Sequence, residues 1–396
     1  MTAVLAFAVA LLAAVLISQR AQRTAFSTSV LFLAAGLVAG PAVLGLLRLG
    51  PSDAAVTHAA ELTLFSTLFA DGLRIDAHEL RRGWALPARA LLIGLPLTML
   101  VAALAGHWLL RLSWQDAWLL SAVLAPTDPV FAAAIVRREQ LPEGLRRLLN
   151  VESGFNDGLA LPVVLALLAP SGIAGLLAPL AGGIAIGAVI PWIVDRLERS
   201  SAFGATREYR PIAAVAVALL VFAASKLLGA NDFLAAFAAG ISAVSSRPTL
   251  SPEFRVFSET VAELLKFVAL FVFGSLLTWG FFSGSSWRVY AFAAFVLLVS
   301  RPLPVLLCLL GAPLDYRSRL TAAWFGPKGF ASVVYGIIVA ERHPGGMGLF
   351  AVAALVITVS IVAHSSTDVL IADWLASATG RRGGSDRAPL AVGAER

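Results

Sequence analysis

Between Ala125 and Gly158 the chain carries two carboxylate-bearing clusters inside runs that are otherwise apolar. The first is Thr127-Asp128, flanked by Pro126 and Pro129; the second is Glu152-Ser153-Gly154-Phe155-Asn156-Asp157. In a helix, residues four apart share a face, so Ser153 stands one turn from Asp157 and Glu152 one turn from Asn156. Two adjacent polar stripes on a lipid-length helix need a reason, because an ionised carboxylate at mid-bilayer depth costs at least about 2.5 to 3.5 kcal/mol. Asp157 has no basic residue within one helical turn to pair with. A carboxylate among hydroxyl and carbonyl oxygens suits a hard monovalent cation, and the same carboxylate can take a proton instead. Asp157, Asp128, Ser153 and Thr127 are the candidate cation ligands.

The elements that must position these residues are membrane helices. The 396 residues are 59% hydrophobic and 14% charged, with a mean hydropathy of +0.84, far too apolar for an ordinary soluble domain. The net charge of +6 falls in short arginine clusters between apolar runs, with no basic stripe of the kind that binds nucleic acid. A single cysteine, Cys308, excludes an internal disulfide or a CxxC metal site. No cofactor is expected, and the function classes that need a soluble catalytic domain are disfavoured, since no loop exceeds roughly twenty residues.

Thirteen runs are long enough to cross about 30 Å of hydrocarbon: roughly 2–18, 25–47, 55–73, 90–110, 115–136, 148–169, 172–194, 211–228, 231–245, 259–282, 288–311, 319–340 and 347–371. The first reads as a retained span and not a signal peptide. Alternate connections hold 22 basic residues against five in the opposite set, with Lys266, Arg301 and Lys328 inside spans. Short cytoplasmic loops carry the Lys and Arg excess, so the N-terminus is expected outside and the C-terminus inside. Residues 1–378 form one transmembrane domain and 379–396 a short cytoplasmic tail, expected to be disordered.

Two spans are interrupted. Pro126 and Pro129 unwind the fifth around Thr127-Asp128, and Gly326-Pro327-Lys328-Gly329 breaks the twelfth. Seven steps separate them, as expected if spans 1–6 and 8–13 are inverted repeats linked by span 7, and paired broken helices mark a transporter's substrate site. Half-helix ends carry about half an elementary charge, so Asp128 is expected to neutralise the positive ends and Lys328 the negative ones.

Ala125-Pro126-Thr127-Asp128-Pro129 followed by Glu152-Ser153-Gly154-Phe155-Asn156-Asp157-Gly158 resembles the sodium/proton exchanger family, specifically the NhaP-like branch of the monovalent cation/proton antiporters. Phe69 to Leu73, Asn231 to Phe237, Arg301-Pro302 and Gly326 to Ala331 extend the resemblance over nearly the whole chain. It implies crossed discontinuous helices, a homodimer in the bacterial cytoplasmic membrane, and exchange of Na⁺, or K⁺ or Li⁺, for H⁺. Asp157 corresponds to the ion- and proton-binding aspartate. Thr127, Asp128, Ser153 and Asn156 correspond to residues lining or steadying its site, and Asp71 to its inner edge, where the branch usually has Glu. Glu152 is expected to pair with Arg301 or with Lys328, which stands where the branch usually has Arg.

Other membrane charges have plainer readings. Glu263 and Lys266, three apart, are expected to pair on one helix face, Asp232 to cap a helix, and His364 to bond a neighbouring helix. Trp279, Trp287 and Trp374 sit at span ends as interfacial anchors. With only one carboxylate in the Asn156-Asp157 pair, one-for-one electroneutral exchange is favoured. The alternatives are a glutathione-gated potassium efflux system, whose relatives carry a long nucleotide-binding domain, and an intramembrane aspartyl protease using Asp128 and Asp157, disfavoured because its YD and GxGD motifs are missing.

Overall fold

The computed structural model describes residues 2–21, 28–75, 84–128, 142–169, 174–200, 203, 206, 208–246 and 252–378. Every regular element among them is helical. In chain order they are α1 (Thr2–Ala21), α2 (Thr28–Ala39), α3 (Ala54–Leu73), α4 (Ala85–Leu110), α5 (Trp114–Val123), α6 (Glu143–Leu168), α7 (Ala174–Glu198), α8 (Arg210–Leu227), α9 (Asp232–Ser246), α10 (Pro252–Leu276), α11 (Trp279–Ser283), α12 (Trp287–Cys308), α13 (Tyr316–Trp324), α14 (Phe330–Arg342) and α15 (Gly346–Ala378). Each of the thirteen apolar runs holds one of them, except that α10 and the short α11 fall in the tenth and α13 and α14 in the twelfth. Among the described residues five helices are long and apolar enough to cross a membrane: Ala85–Leu110, Gly144–Leu168, Leu177–Glu198, Trp287–Cys308 and Gly346–Thr367. Pro129, the continuation of the fifth run and the tail from Thr379 lie outside the described residues.

Local chemistry sets the helix starts. Ser113 caps α5 by accepting from the Asp116 amide at 3.1 Å, and Asp315 caps α13 by accepting from the Ser318 amide at 3.3 Å. The Ser318 hydroxyl donates to the same carboxylate, and these bonds hold Asp315 below the usual carboxylate range. At α9 the cap is Asn231, whose side chain accepts from the Leu234 amide at 2.7 Å. This corrects the expectation for Asp232, which begins the helix and pairs with Lys226 at 3.0 Å. Short polar side chains compete for the cap, and the residue one step earlier has it.

Helix packing then builds the centre. A Cβ on Gly72 of α3 would lie 2.9 Å from the Gly240 Cα of α9, and one on Gly36 of α2 would lie 3.0 Å from the Gly274 Cα of α10. Small residues allow the backbone contact on which helix association in lipid depends, since burial from water contributes nothing there. Half-helix α14 is the most enclosed element, buried at every residue from Phe330 to Ala340 and packed on α3, α5, α6, α10 and α15. By contrast α7 presents Ile184, Val189, Trp192 and Ile193 outward, as a lipid-facing helix should.

Both α4 and α12 contain one π-helical turn, at Ala90–Gly94 and Val296–Ser300. The second ends immediately before Arg301, so the extra residue re-aims that side chain into the protein, a common use of π-bulges at functional sites.

Candidate functional site

The end of α5 meets the break between α13 and α14. Beyond α5, Ala125 to Asp128 are non-helical, as are Phe325 to Gly329 between α13 and α14. The Asp128 amide donates to the Pro327 carbonyl at 3.0 Å, and the Lys328 amide donates to the Ser360 hydroxyl of α15 at 2.9 Å. Each break thus satisfies backbone groups through a partner, as buried non-helical backbone must. Gly329 is the N-cap of α14, and any side chain there would collide with the Asp128 side chain. Asp128 therefore stands against the positive end of α14, as its charge predicts.

The negative end is organised differently. Arg301 donates from Nη1 to the Ala322 and Ala323 carbonyls, 3.0 Å each, at the end of α13. Its Nη2 donates to both Glu152 carboxylate oxygens, at 3.1 and 2.8 Å. Arg301 is thus both the partner of Glu152 and the cap expected of Lys328. The fork of a guanidinium reaches two acceptors in different directions, which a single ammonium cannot do. The Lys328 Nζ is fully buried, with no hydrogen-bond partner among the described residues. It borders a cavity of about 10 Å³ together with Arg301, Ser360 and His364. Because the Lys328 ammonium has no hydrogen-bond partner to lose among the described residues, Lys328→Met should leave thermal stability unchanged or raised. A large fall in the melting temperature of the purified variant would restore the capping role.

Helix α6 supplies the polar stripe and clamps the first break. The Ser153 hydroxyl donates to the Thr127 carbonyl at 2.7 Å, and the Asn156 amide nitrogen donates to the Thr127 hydroxyl oxygen at 2.5 Å. That leaves Asn156 Oδ1 and Asp157 Oδ1 buried without a hydrogen-bond partner among the described residues. The Asp157 backbone carbonyl accepts from the Tyr335 hydroxyl of α14 at 2.6 Å. Thr127, Asp128, Ser153, Asn156 and Asp157 are all buried and gathered at the crossing. No three His, Cys, Asp or Glu side chains among the described residues form a metal-holding group; the oxygens gathered here are the Asp128 and Asp157 carboxylates with amide and hydroxyl neighbours.

Asp71 on α3 is buried and pairs with Arg74 at 3.2 Å; Arg74 also reaches Glu259 at 3.2 Å. Its other oxygen, Oδ2, is without a hydrogen-bond partner among the described residues. The expected Glu263–Lys266 pair does not form: Glu263 is exposed, whereas Lys266 is buried and its Nζ lies 4.0 Å from Asp128 Oδ1. Helical spacing allows a pair, but Lys266 has a carboxylate on the protein side and Glu263 faces outward. His364 contacts α13 through Nε2, 3.1 Å from the Trp324 carbonyl, as a lone membrane histidine should. Sequence reasoning missed Tyr335 and Ser360. A tyrosine in an apolar run needs a hydroxyl partner, and Ser360 is one turn from His364 on α15, so both had a detectable signal.

The non-helical end of α5 meeting the break between α13 and α14, with buried carboxylates beside them, is the kind of arrangement in which multi-pass membrane transporters place a substrate site. A family profile described as "Sodium/hydrogen exchanger, transmembrane" matches residues 7–372, and the chain belongs to that family. The K⁺/H⁺ antiporter NhaP of Alkalimonas amylolytica is 25% identical over 383 residues, covering 90% of this chain and 64% of that protein. A probable Na⁺/H⁺ antiporter of Schizosaccharomyces pombe is 28% identical over 351 residues, covering 78% of this chain and 45% of that one. The chain thus spans less than two thirds of the length of these curated relatives. The solved sodium proton antiporter MjNhaP1 of Methanocaldococcus jannaschii superposes with a TM-score of 0.75 at 18% identity, over 96% of this chain and 99% of that one. The fold is the same.

Proposed function

We propose that the protein is a secondary antiporter that exchanges a monovalent cation for H⁺ by alternating access, with Asp157 binding one or the other. The observation that carries this is the pair of partnerless oxygens, Asp157 Oδ1 and Asn156 Oδ1, buried at the crossing. A carboxylate so placed is stabilised by a bound cation or a bound proton and is costly without either. Asn156 and Ser153 add oxygen donors; Thr127 and Asp128 steady the break. Na⁺ is the first candidate and K⁺ or Li⁺ the alternatives, since the relatives include antiporters named for Na⁺ and for K⁺. We also infer residence in a bacterial cytoplasmic membrane with the N-terminus outside, and a homodimer. The division into inverted repeats is supported by the matched π turns of α4 and α12, the fourth spans of their halves, which precede the two broken fifth spans.

Strict competition at one carboxylate moves no net charge per cycle. Proteoliposomes carrying the purified protein should dissipate an imposed ΔpH on addition of Na⁺ or K⁺, equally with and without a clamped membrane potential. The potential would contribute about 2.3 kcal/mol per charge per 100 mV to an electrogenic cycle. The pH profile should be bell-shaped, because protons displace the cation at low pH and are too scarce to return at high pH. A sustained current that scales with turnover would mean that a second carboxylate carries a proton.

A further inference from the structure

Resting on the exchange reading, we propose that Lys266 is a built-in counter-cation that holds the site one negative charge short of what a divalent ion needs, and so makes it selective for monovalent cations. Lys266 comes from α10, a helix outside the crossing. Its side chain is 8% exposed, and its Nζ lies 4.0 Å from Asp128 Oδ1 and 5.1 Å from the centroid of the Phe330 ring that opens α14. The ring face reinforces a cation at that spot. Both Asp71 and Asp157 lie within Coulombic reach of the same ammonium.

The charges can be taken pair by pair. Among the described residues Asp71 has Arg74, Glu152 has Arg301 and Asp128 has Lys266, and no cationic group is in salt-bridge contact with Asp157, which feels Lys266 only at longer range. Lys328 lies to the side of Arg301, Ser360 and His364. One uncompensated carboxylate matches one proton or one monovalent ion. A hard divalent ion takes more oxygen ligands and more negative charge, and removal of the ammonium would make the site more negative by one charge. Lys266 is a positioning and specificity residue; it touches Asp128, not the reacting oxygen of Asp157.

The full-length protein with Lys266→Gln is tested by thermal-shift titration with NaCl, KCl and CaCl₂ and by ΔpH dissipation in proteoliposomes. Loss of a unit charge from a poorly screened site should lower the apparent monovalent dissociation constant about tenfold, and Ca²⁺ should become a stabilising ligand and an inhibitor of exchange. Lys266→Arg should keep the wild-type pattern. If Lys266→Gln proves too unstable to purify, Lys266→Gln with Asp128→Asn restores the charge balance and should again reject Ca²⁺, whereas Asp128→Asn alone should weaken monovalent binding. Unchanged or weakened monovalent binding in folded Lys266→Gln with continued indifference to Ca²⁺, or a double variant stabilised by Ca²⁺, overturns the assignment. Wild-type protein that shows no cation-driven proton flux would instead overturn the exchange reading.

Discussion

Asp157→Asn is expected to abolish cation-driven proton flux while leaving the fold intact. The amide keeps the size and shape of the carboxylate but neither titrates nor offers a negative charge, so both halves of the cycle lose their ligand. Folding should not suffer, because the substitution removes a buried charge whose Oδ1 has no hydrogen-bond partner among the described residues, and burying a neutral amide costs less than burying an ion. The Tyr335 hydroxyl bonds to the backbone carbonyl of residue 157 and not to its side chain, so that tie survives. A second reading does not depend on transport. A ligand at one hundred times its dissociation constant stabilises a protein by about 2.7 kcal/mol, so the cation-dependent rise in melting temperature of the wild type should vanish in the variant. Residual exchange, or an intact cation-dependent shift, would move the binding role to Asp128 or Asp71.

Arg301→Ala is expected to be the most destabilising single change in the molecule. It removes both Nη2 bonds to the Glu152 carboxylate and both Nη1 bonds to the last carbonyls of α13, at a residue that is 4% exposed. Breaking a buried ion pair from one side costs about 3–5 kcal/mol, because the remaining charge has no compensation. Glu152→Gln should cost less, since Arg301 would keep its two carbonyl bonds. The double variant Glu152→Gln/Arg301→Ala should be less unstable than the two single changes added together, a coupling read from the melting temperatures of four purified proteins. Strict additivity would mean that the pair contributes no coupling and that Arg301 acts through the α13 carbonyls alone.

Much of this was legible in the sequence, for identifiable reasons. The breaks at Pro126 and at Gly326 to Gly329 could be seen because proline and glycine act locally, and the polar stripe of α6 because helical spacing is fixed. The contact of Glu152 with Arg301 was one of two options; the choice needed the π turn before Arg301, which has no sequence signature here. The Lys266 pairing was misread, because periodicity places residues on a face without saying what lies opposite. Lys328 was given a role by charge sign alone, while the guanidinium of Arg301 was better shaped to fill it. Tyr335 and Ser360 act through backbone groups of distant segments, and such contacts depend on the packing of α14 against α6 and α15.

The amide of Asp128 bonds to the carbonyl of Pro327, and this has a consequence for biogenesis. During insertion the first break enters the bilayer with α5, but its partner does not exist until the ribosome has delivered everything through α13. Over that interval Thr127 can lean on α6, through its carbonyl to Ser153 and its hydroxyl to Asn156, but the Asp128 amide still awaits its acceptor. The half of the chain made first is thus left unfinished by design, and the last third to be synthesised completes it.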